Sequence, residues 1–385
     1  MNRSRVYLDY NATAPLATEV SAAMEPWLAA TAANPSSIHR YGQRARAAIE
    51  VASQQVKELC GGHDVVFTSG GTEADNLAVT GLLGWPPAGH LVVSAVEHPA
   101  VLEPAQALAA LGVETTLVPV DREGRVDPDK FAAALRDNTV LVSIMAANNE
   151  TGTIQPVREV AAIARRHGVA VHCDAVQAAA WLDLVDLLDE VDMVTLSGHK
   201  IGGPPGIGAL VLRRPLDLTA TLRGGGQQRG RRPGTEPTAL IAGFGAACER
   251  ARTRYRVESE RVGALANALA AEIVDSTPDV HVTVPVAPRL PNTIHLCFAE
   301  CPGDLLVACL DLEDIAASAG SACASGVAHA SYVLEALDLP RRYQAGALRL
   351  SLGYGTDDAE IAGLGKRIAR CVLAASEGNL PAVGA

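Results

Sequence analysis

The sequence predicts an α/β protein with a large domain built on a mainly parallel, seven-stranded sheet flanked by helices, plus a smaller α+β domain. Three observations carry this prediction. Between residues 63 and 213, seven short apolar runs alternate with alanine- and leucine-rich helical stretches. Strands separated by helices imply a parallel sheet covered on both faces. After about residue 250 the alternation gives way to a long polar-faced helix and then to a different mixture of strands and helices. The predicted division is 15–255 for the large domain, with 1–14 and 256–385 forming the smaller one.

The strands are predicted at 65–68, 91–94, 115–118, 140–145, 169–173, 191–196 and 209–212, and the helices between them include 128–136 and 157–167. A helix over 243–274 leads into strands at 280–284 and 293–298. A helix at 303–312, a small-residue loop and a closing helix from Asp358 complete the chain. In sheets of this kind ligands bind beyond the carboxyl ends of the strands, so the turns after them are where chemistry is sought.

Composition narrows the function. The chain of 385 residues is 48% hydrophobic and 19% charged, a globular balance far from that of disorder. A net charge of -11 argues against direct nucleic-acid binding, which needs a broad basic face. No apolar run reaches the length of a membrane span, and the N-terminus carries no signal-peptide pattern. A cytoplasmic location is therefore expected. The eight cysteines form no C-x-x-C pair; Cys297 and Cys301 are close in sequence but lie in an apolar strand and the turn after it. No metal centre is predicted, and most of the thiols read as core residues.

Lysine is rare: Lys57, Lys130, Lys200 and Lys366 are the full set. Three sit in helical, charge-interspersed contexts that read as solvated faces. Lys200 instead closes Ser197-Gly198-His199-Lys200 after an apolar strand and is followed by a turn of glycine and proline. Partial desolvation there would lower its pKa and free the amine for Schiff-base chemistry; the competing account is a turn lysine paired with a carboxylate.

One strand earlier, Asp174 ends an apolar run, where a carboxylate is costly without a cationic or strongly donating partner. A protonated ring nitrogen would serve, and so would duty as a helix N-cap. Gln177, three residues on, would reach a ring oxygen if the turn opens a helix. The turn Thr68-Ser69-Gly70-Gly71-Thr72 leads from strand to helix and suits a phosphate monoester, since exposed amides and the positive helix end favour an anion. His98, after strand 91–94, would stack on a flat heteroaromatic ring or cap a helix. Asn148 and Asn149, after strand 140–145, offer amide donors or Asx turns. Arg349, within an apolar strand-like run, needs an anionic partner, either a ligand carboxylate or a structural acid. Cys323 stands in Ser318-Ala319-Gly320-Ser321-Ala322-Cys323-Ala324-Ser325-Gly326. Small neighbours on both sides predict a loop that lets the thiol approach a ligand.

Taken in order, Tyr7–Thr13, Asn34-Pro35-Ser36-Ser37, Thr68–Asn76, Glu97-His98, Asn148–Gly152, Asp174–Gln177, Ser197–Lys200, Arg229–Thr235 and Ser318–Gly326 resemble the cysteine desulfurases, over nearly the whole chain. These are fold-type I pyridoxal 5'-phosphate (PLP) enzymes of the class-V aminotransferase group, and the likeness is closest to the NifS/IscS branch. The resemblance implies that Lys200 holds the cofactor covalently, His98 stacks on its ring, Asp174 pairs the ring nitrogen and Gln177 meets the ring oxygen. It implies a phosphate site from Gly71, Thr72, Ser197, Gly198 and His199, with Thr235 reaching the phosphate of a neighbouring subunit in a homodimer. Asn149 matches a position that contacts both cofactor and substrate. Arg349, with Asn34 nearby, matches the substrate-carboxylate site for L-cysteine, and Cys323 matches the persulfide cysteine. A sulfur-acceptor protein, an iron–sulfur scaffold above all, is the implied partner. The segment Val327-Ala328-His329-Ala330 departs from the acidic stretch common after that cysteine, which bears on acceptor docking. Selenocysteine lysis, another PLP-dependent β-elimination, and a non-catalytic sulfur-relay role are the rival readings.

Overall fold

The computed structural model describes residues 5–29, 33–319 and 331–378. A two-residue strand, β1 (Val6–Tyr7), precedes seven five-residue strands: β2 (Asp64–Thr68), β3 (His90–Ser94), β4 (Glu114–Val118), β5 (Thr139–Ser143), β6 (Ala170–Asp174), β7 (Met193–Ser197) and β8 (Gly208–Leu212). Each coincides with one of the seven predicted runs. They form one sheet in the order β2-β8-β7-β6-β5-β3-β4, in which only β8 runs against its neighbours β2 and β7.

The two faces of this sheet are separated by the alternation of side chains along each strand. On β2, Val65 and Phe67 pack with the helices Arg40–Cys60 and Thr238–Ser276, whereas Val66 joins Ala74, Leu77 and Ala78 of helix Gly71–Leu83 on the other side. Inner strands β3, β7 and β8 are buried at every residue. The edge strand β4 leaves Leu117 exposed, as an edge permits.

The rest of the chain adds β9 (Val280–Val282), β10 (Thr293–Phe298), β11 (Ile315–Ala316) and β12 (Ala347–Ser351). An antiparallel sheet has the order β12-β10-β9, and β1 pairs in parallel with β11. That pairing brings Asp9 beside Ser351 and sets the N-terminal segment against the C-terminal strands. One apolar cluster runs without interruption from Phe67 through Phe244 to Leu348 and Leu350.

Three differences from the predicted elements have local causes. Helices Thr18–Leu28 and Arg40–Cys60 are absent from the prediction. The second is legible in hindsight: Ala45, Ile49, Ala52, Val56 and Leu59 recur at helical spacing, between a His39 cap and a left-handed Gly61. The long helix spans Thr238–Ser276, beginning directly after Pro237 rather than at residue 243. The closing helix is two, Asp358–Ile361 and Leu364–Ser376, because Gly363 adopts φ 69° between them. No helix among the described residues is long and apolar enough to cross a membrane.

His295 on β10 tests how this core handles a titratable group. It is buried, its Nδ1 lies 2.7 Å from Thr283 Oγ1, and its Nε2 has no hydrogen-bond partner among the described residues. Burial, then the charge of Arg349 and of His281, push its pKa down to about 3. The native state therefore holds it neutral. Its contribution to stability is complete above the unfolded value of about 6.5 and is lost as pH falls towards the folded one. The unfolding free-energy difference between wild type and His295→Asn should shift against wild type by about 1.4 kcal/mol per pH unit below 6.5. Urea titrations at pH 6.5, 5.5 and 4.5 read this, and a pH-independent difference would contradict it.

Candidate active site

The parallel strands β2, β3, β5, β6 and β7 send their carboxyl ends to the same edge of the sheet. The turns that follow them deliver side chains into one cavity of about 380 Å³. Gly71 and Thr72, His98, Asn149, Asp174 with Gln177, and Ser197 with His199 and Lys200 all line it. Arg349 enters from β12. Ten of the residues singled out from sequence thus meet at one place, contributed by five separate strand ends and β12.

Lys200 sits at the end of a tight turn, Gly198–Lys200, directly after β7. The turn depends on Gly198: a Cβ there would lie 2.9 Å from both Ile207 Cγ2 and the Pro204 carbonyl. The chain then folds back, with Gly203 N–H donating to the Gly198 carbonyl at 2.9 Å. Lys200 Nζ is directed inward and donates to the backbone carbonyls of Asn11 at 2.6 Å and Ala12 at 3.0 Å. The other lysines differ: Lys130 and Lys366 are exposed and Lys57 is half-buried on its helix.

Asp174 ends β6 and is only 6% exposed. One carboxylate oxygen accepts the Val176 N–H at 2.9 Å, an Asx turn rather than a helix cap, and residues 176–180 form turns instead of opening a helix. Burial raises the Asp174 pKa, while the charges of His98 and Lys200 and the Val176 bond pull it down. Gln177 lines the cavity, and its Nε2 donates to the Asn11 carbonyl at 3.1 Å.

His98 takes the capping duty its sequence context allowed, and its ring also faces the cavity. Its Nδ1 accepts the Ala100 N–H at 3.1 Å, capping helix Pro99–Ala110, and the ring lines the cavity. The cap requires the proton of the neutral ring to sit on Nε2. Burial and Lys200 lower the His98 pKa, with Asp174 opposing them. His199 lies beside Thr13 Oγ1 at 3.2 Å, and burial with the charge of Lys200 depresses its pKa to about 4.

The asparagines divide their labour. Asn148 Oδ1 accepts the N–H groups of Glu150 and Thr151, at 2.9 and 3.0 Å, and so shapes the turn. Asn149 faces the cavity, and its buried Oδ1 has no hydrogen-bond partner among the described residues. Arg349, 2% exposed, donates to Asp9 Oδ1 and the Asn149 carbonyl, each at 2.9 Å, and to Ser318 Oγ at 3.1 Å. Its Nε is buried without a hydrogen-bond partner among the described residues. The guanidinium therefore has a structural acid and still a donor to spare.

Several predicted residues stand apart. Asn34 is exposed, its Oδ1 accepting the Ser36 N–H at 2.9 Å, and Thr235 is exposed on a loop; neither lines this cavity. Arg231 and Arg232 of the same loop are tied down on Asp64 and Glu73, at 2.8 and 3.0 Å, and Arg229 also pairs with Asp64. Cys323 lies outside the described residues. The seven described cysteines are buried and free, and burial pushes Cys60 and Cys297 up to about 12.

Sequence reasoning placed Asp75, Glu97 and Glu150 within its motifs but gave them no role; all three carboxyls are at most 1% exposed. Asp75 and Glu150 line the cavity, and burial raises the pKa of all three. Asp75 and Glu97 are further raised by neighbouring carboxylates. The cavity thus has an acid-rich end around Asp174. Its opposite feature is the start of helix Gly71–Leu83, whose free N–H groups favour an anion. A Cβ at Gly71 would meet Val176 Cγ2 at 3.1 Å, so glycine keeps that end open. A flat group with a protonated nitrogen at one end and a phosphate at the other matches this donor set. Pyridoxal phosphate is such a group.

Comparison with known proteins agrees. Residues 6–364 match the family described as aminotransferase class-V. Cysteine desulfurase IscS of Dictyoglomus turgidum is 42% identical over 364 residues, covering 93% of this chain and 92% of the relative. Cysteine desulfurase NifS of Azotobacter vinelandii is 41% identical over 360 residues, covering 92% and 90%. A solved NifS-like protein superposes with a TM-score of 0.89 at 31% identity, covering 95% of this chain and 99% of its own. The fold and cavity define a class-V aminotransferase scaffold. Within that class, the chain belongs to the PLP-dependent cysteine desulfurases of the NifS/IscS type.

Removing Arg349 should expose how much of the site is also structure. Arg349→Ala leaves Asp9 and Ser318 without their cation and should lower the unfolding free energy by about 3 kcal/mol. A loss below about 0.5 kcal/mol in denaturant titrations would show that the guanidinium is held mainly for a ligand.

Proposed function

We propose that this chain takes sulfur from L-cysteine as a persulfide on Cys323 and releases L-alanine. The observation that carries the reading is the inward Lys200 amine in one cavity with His98, Asp174 and Arg349. Bound there, PLP supplies an electron sink for charge that develops at the substrate Cα.

The chain's own residues divide the work. Lys200 holds the cofactor and, once displaced by the substrate amine, its Nζ takes the Cα proton. Asp174 pairs the ring nitrogen and keeps its proton in place. His98, neutral through its cap, presents a flat ring without an added charge. Gln177 meets the ring oxygen, and Gly71, Thr72, Ser197, Gly198 and His199 hold the phosphate. Thr235 would complete that phosphate site in a second copy, which supports a homodimer and explains why it is exposed in one chain. Arg349 takes the substrate carboxylate through its spare Nε, with Asn149 alongside and Asn34 at the margin. Residues 15–255 therefore carry the cofactor, and 1–14 with 256–385 carry the substrate arginine and the thiol.

The sulfur step follows. The Cys323 thiolate attacks the substrate sulfur, an S–S bond forms and the substrate Cβ–S bond breaks, its electrons staying on the carbon fragment. Protonation yields alanine, and the enzyme keeps the persulfide. A thiol titrating near ambient pH serves this best, because too low a pKa costs nucleophilicity. The persulfide then passes to an acceptor protein, for which an iron–sulfur scaffold in the cytoplasm is our reading; the relatives' names IscS and NifS support it.

Cys323→Ser should abolish alanine release and the persulfide mass on the protein while the cofactor's visible absorbance persists. Substantial residual desulfuration would remove Cys323 from the reaction.

A further inference from the structure

A fully buried carboxyl on the cavity wall has no duty in the mechanism above. Glu150 is 0% exposed and lines the cavity next to Asn149. Its Oε2 accepts the Ser331 hydroxyl at 2.6 Å, and its Oε1 is buried without a hydrogen-bond partner among the described residues. Leaving a carboxylate oxygen dry and unmatched is expensive, so the position calls for a donor that the described residues do not supply. Two more residues lining the cavity carry atoms unmatched among the described residues, the Asn149 Oδ1 acceptor and the Arg349 Nε donor. Acceptors and a donor left open together match a zwitterionic amino acid, whose carboxylate suits Arg349 and whose ammonium or thiol suits an acceptor.

The other oxygen leads away from the cavity. Ser331 is buried, and its hydroxyl oxygen also accepts the N–H groups of Val333 and Leu334, at 3.2 and 3.4 Å, capping helix Tyr332–Ala336. That helix is fixed to the site by two further contacts. Tyr332 donates its hydroxyl to the Glu97 carbonyl at 2.8 Å, and Val333 and Leu337 pack with Val96 and Met145. Capping alone needs only the serine hydroxyl, so a buried acid beneath it asks for another reason. Cys323 precedes Ser331 by eight residues.

We propose that Glu150 bridges the bound amino acid and the anchor of the cysteine segment: Oε1 accepts an N–H of the substrate, and Oε2 holds Ser331. Glu150 is then a substrate-binding residue, and Ser331 a positioning residue for the sulfur step. Burial raises the Glu150 pKa, opposed by the Ser331 bond and the charge of Arg349. The inference rests on Lys200 and Cys323 acting as proposed above.

The test separates binding from sulfur transfer in the holoenzyme. L-alanine binding is titrated by the cofactor's absorbance, and Cα-hydrogen exchange of alanine in D2O is followed by NMR; neither needs Cys323. Persulfide formation in one turnover of L-cysteine is followed by mass spectrometry. Ser331→Ala should leave alanine binding and exchange within about twofold and slow persulfide formation about tenfold at saturating cysteine, with Ser331→Thr restoring the rate. Glu150→Gln should weaken alanine binding about tenfold and slow persulfide formation as well. Unchanged persulfide formation in Ser331→Ala, or alanine exchange falling in parallel with it, would overturn the bridge. Unaltered alanine binding in Glu150→Gln would overturn it too. Absence of persulfide on wild-type Cys323 would instead sink the parent reading.

Discussion

A carboxylate at the dry end of a parallel strand has to be met by positive charge, and the rest of this site is arranged around that need. Asp174 is 6% exposed, and the other acids near it, Asp75 and Glu97, make its ionisation harder still for the group of three. What favours its charge is the Val176 N–H, the His98 ring and the Lys200 amine, all within one cavity. In the proposed function a protonated cofactor nitrogen is the further partner of Asp174. The seven-stranded sheet exists, functionally, to bring β6 and β7 side by side, so that Asp174 and Lys200 leave adjacent strand ends.

That requirement also accounts for the backbone around Lys200. A solvated lysine would satisfy itself with water; this one is turned inward onto the Asn11 and Ala12 carbonyls. Two backbone carbonyls thus fix the direction of the amine, while its charge also acts on Asp174. The N-terminal segment that provides those carbonyls is in turn held by Asn11, whose Nδ2 donates to Thr293 Oγ1 at 2.9 Å, and by Asp9 on Arg349. Strand β12 and the N-terminal segment therefore position the lysine that follows β7 from outside the large sheet.

Much of this was legible in the sequence, for physical reasons. With four lysines in the chain, one flanked by glycines at a strand end stood out, and an aspartate closing an apolar run announced an unusual partner. Seven apolar runs separated by helices gave the sheet, since burial on both faces leaves little alternative. The remaining parts were illegible because they are contacts at a distance. Asp9 and Arg349 are 340 residues apart, and Ser331 and Glu150 are 181 apart. Asp75 and Glu97 look like ordinary polar residues of a helix and a turn; only packing reveals that they are dry. Gln177 was read with a condition, a helix after Asp174, that the turns at 176–180 do not meet, yet its side chain reaches the cavity all the same.

The account turns on a covalent bond between the cofactor and one amine among four, and borohydride reduction makes that bond permanent. Peptide mapping of the reduced holoenzyme should find the pyridoxyl mass on the peptide containing Lys200 and on no other. The mass on Lys57, Lys130 or Lys366, or on no lysine at all in a protein that has bound the cofactor, would contradict it.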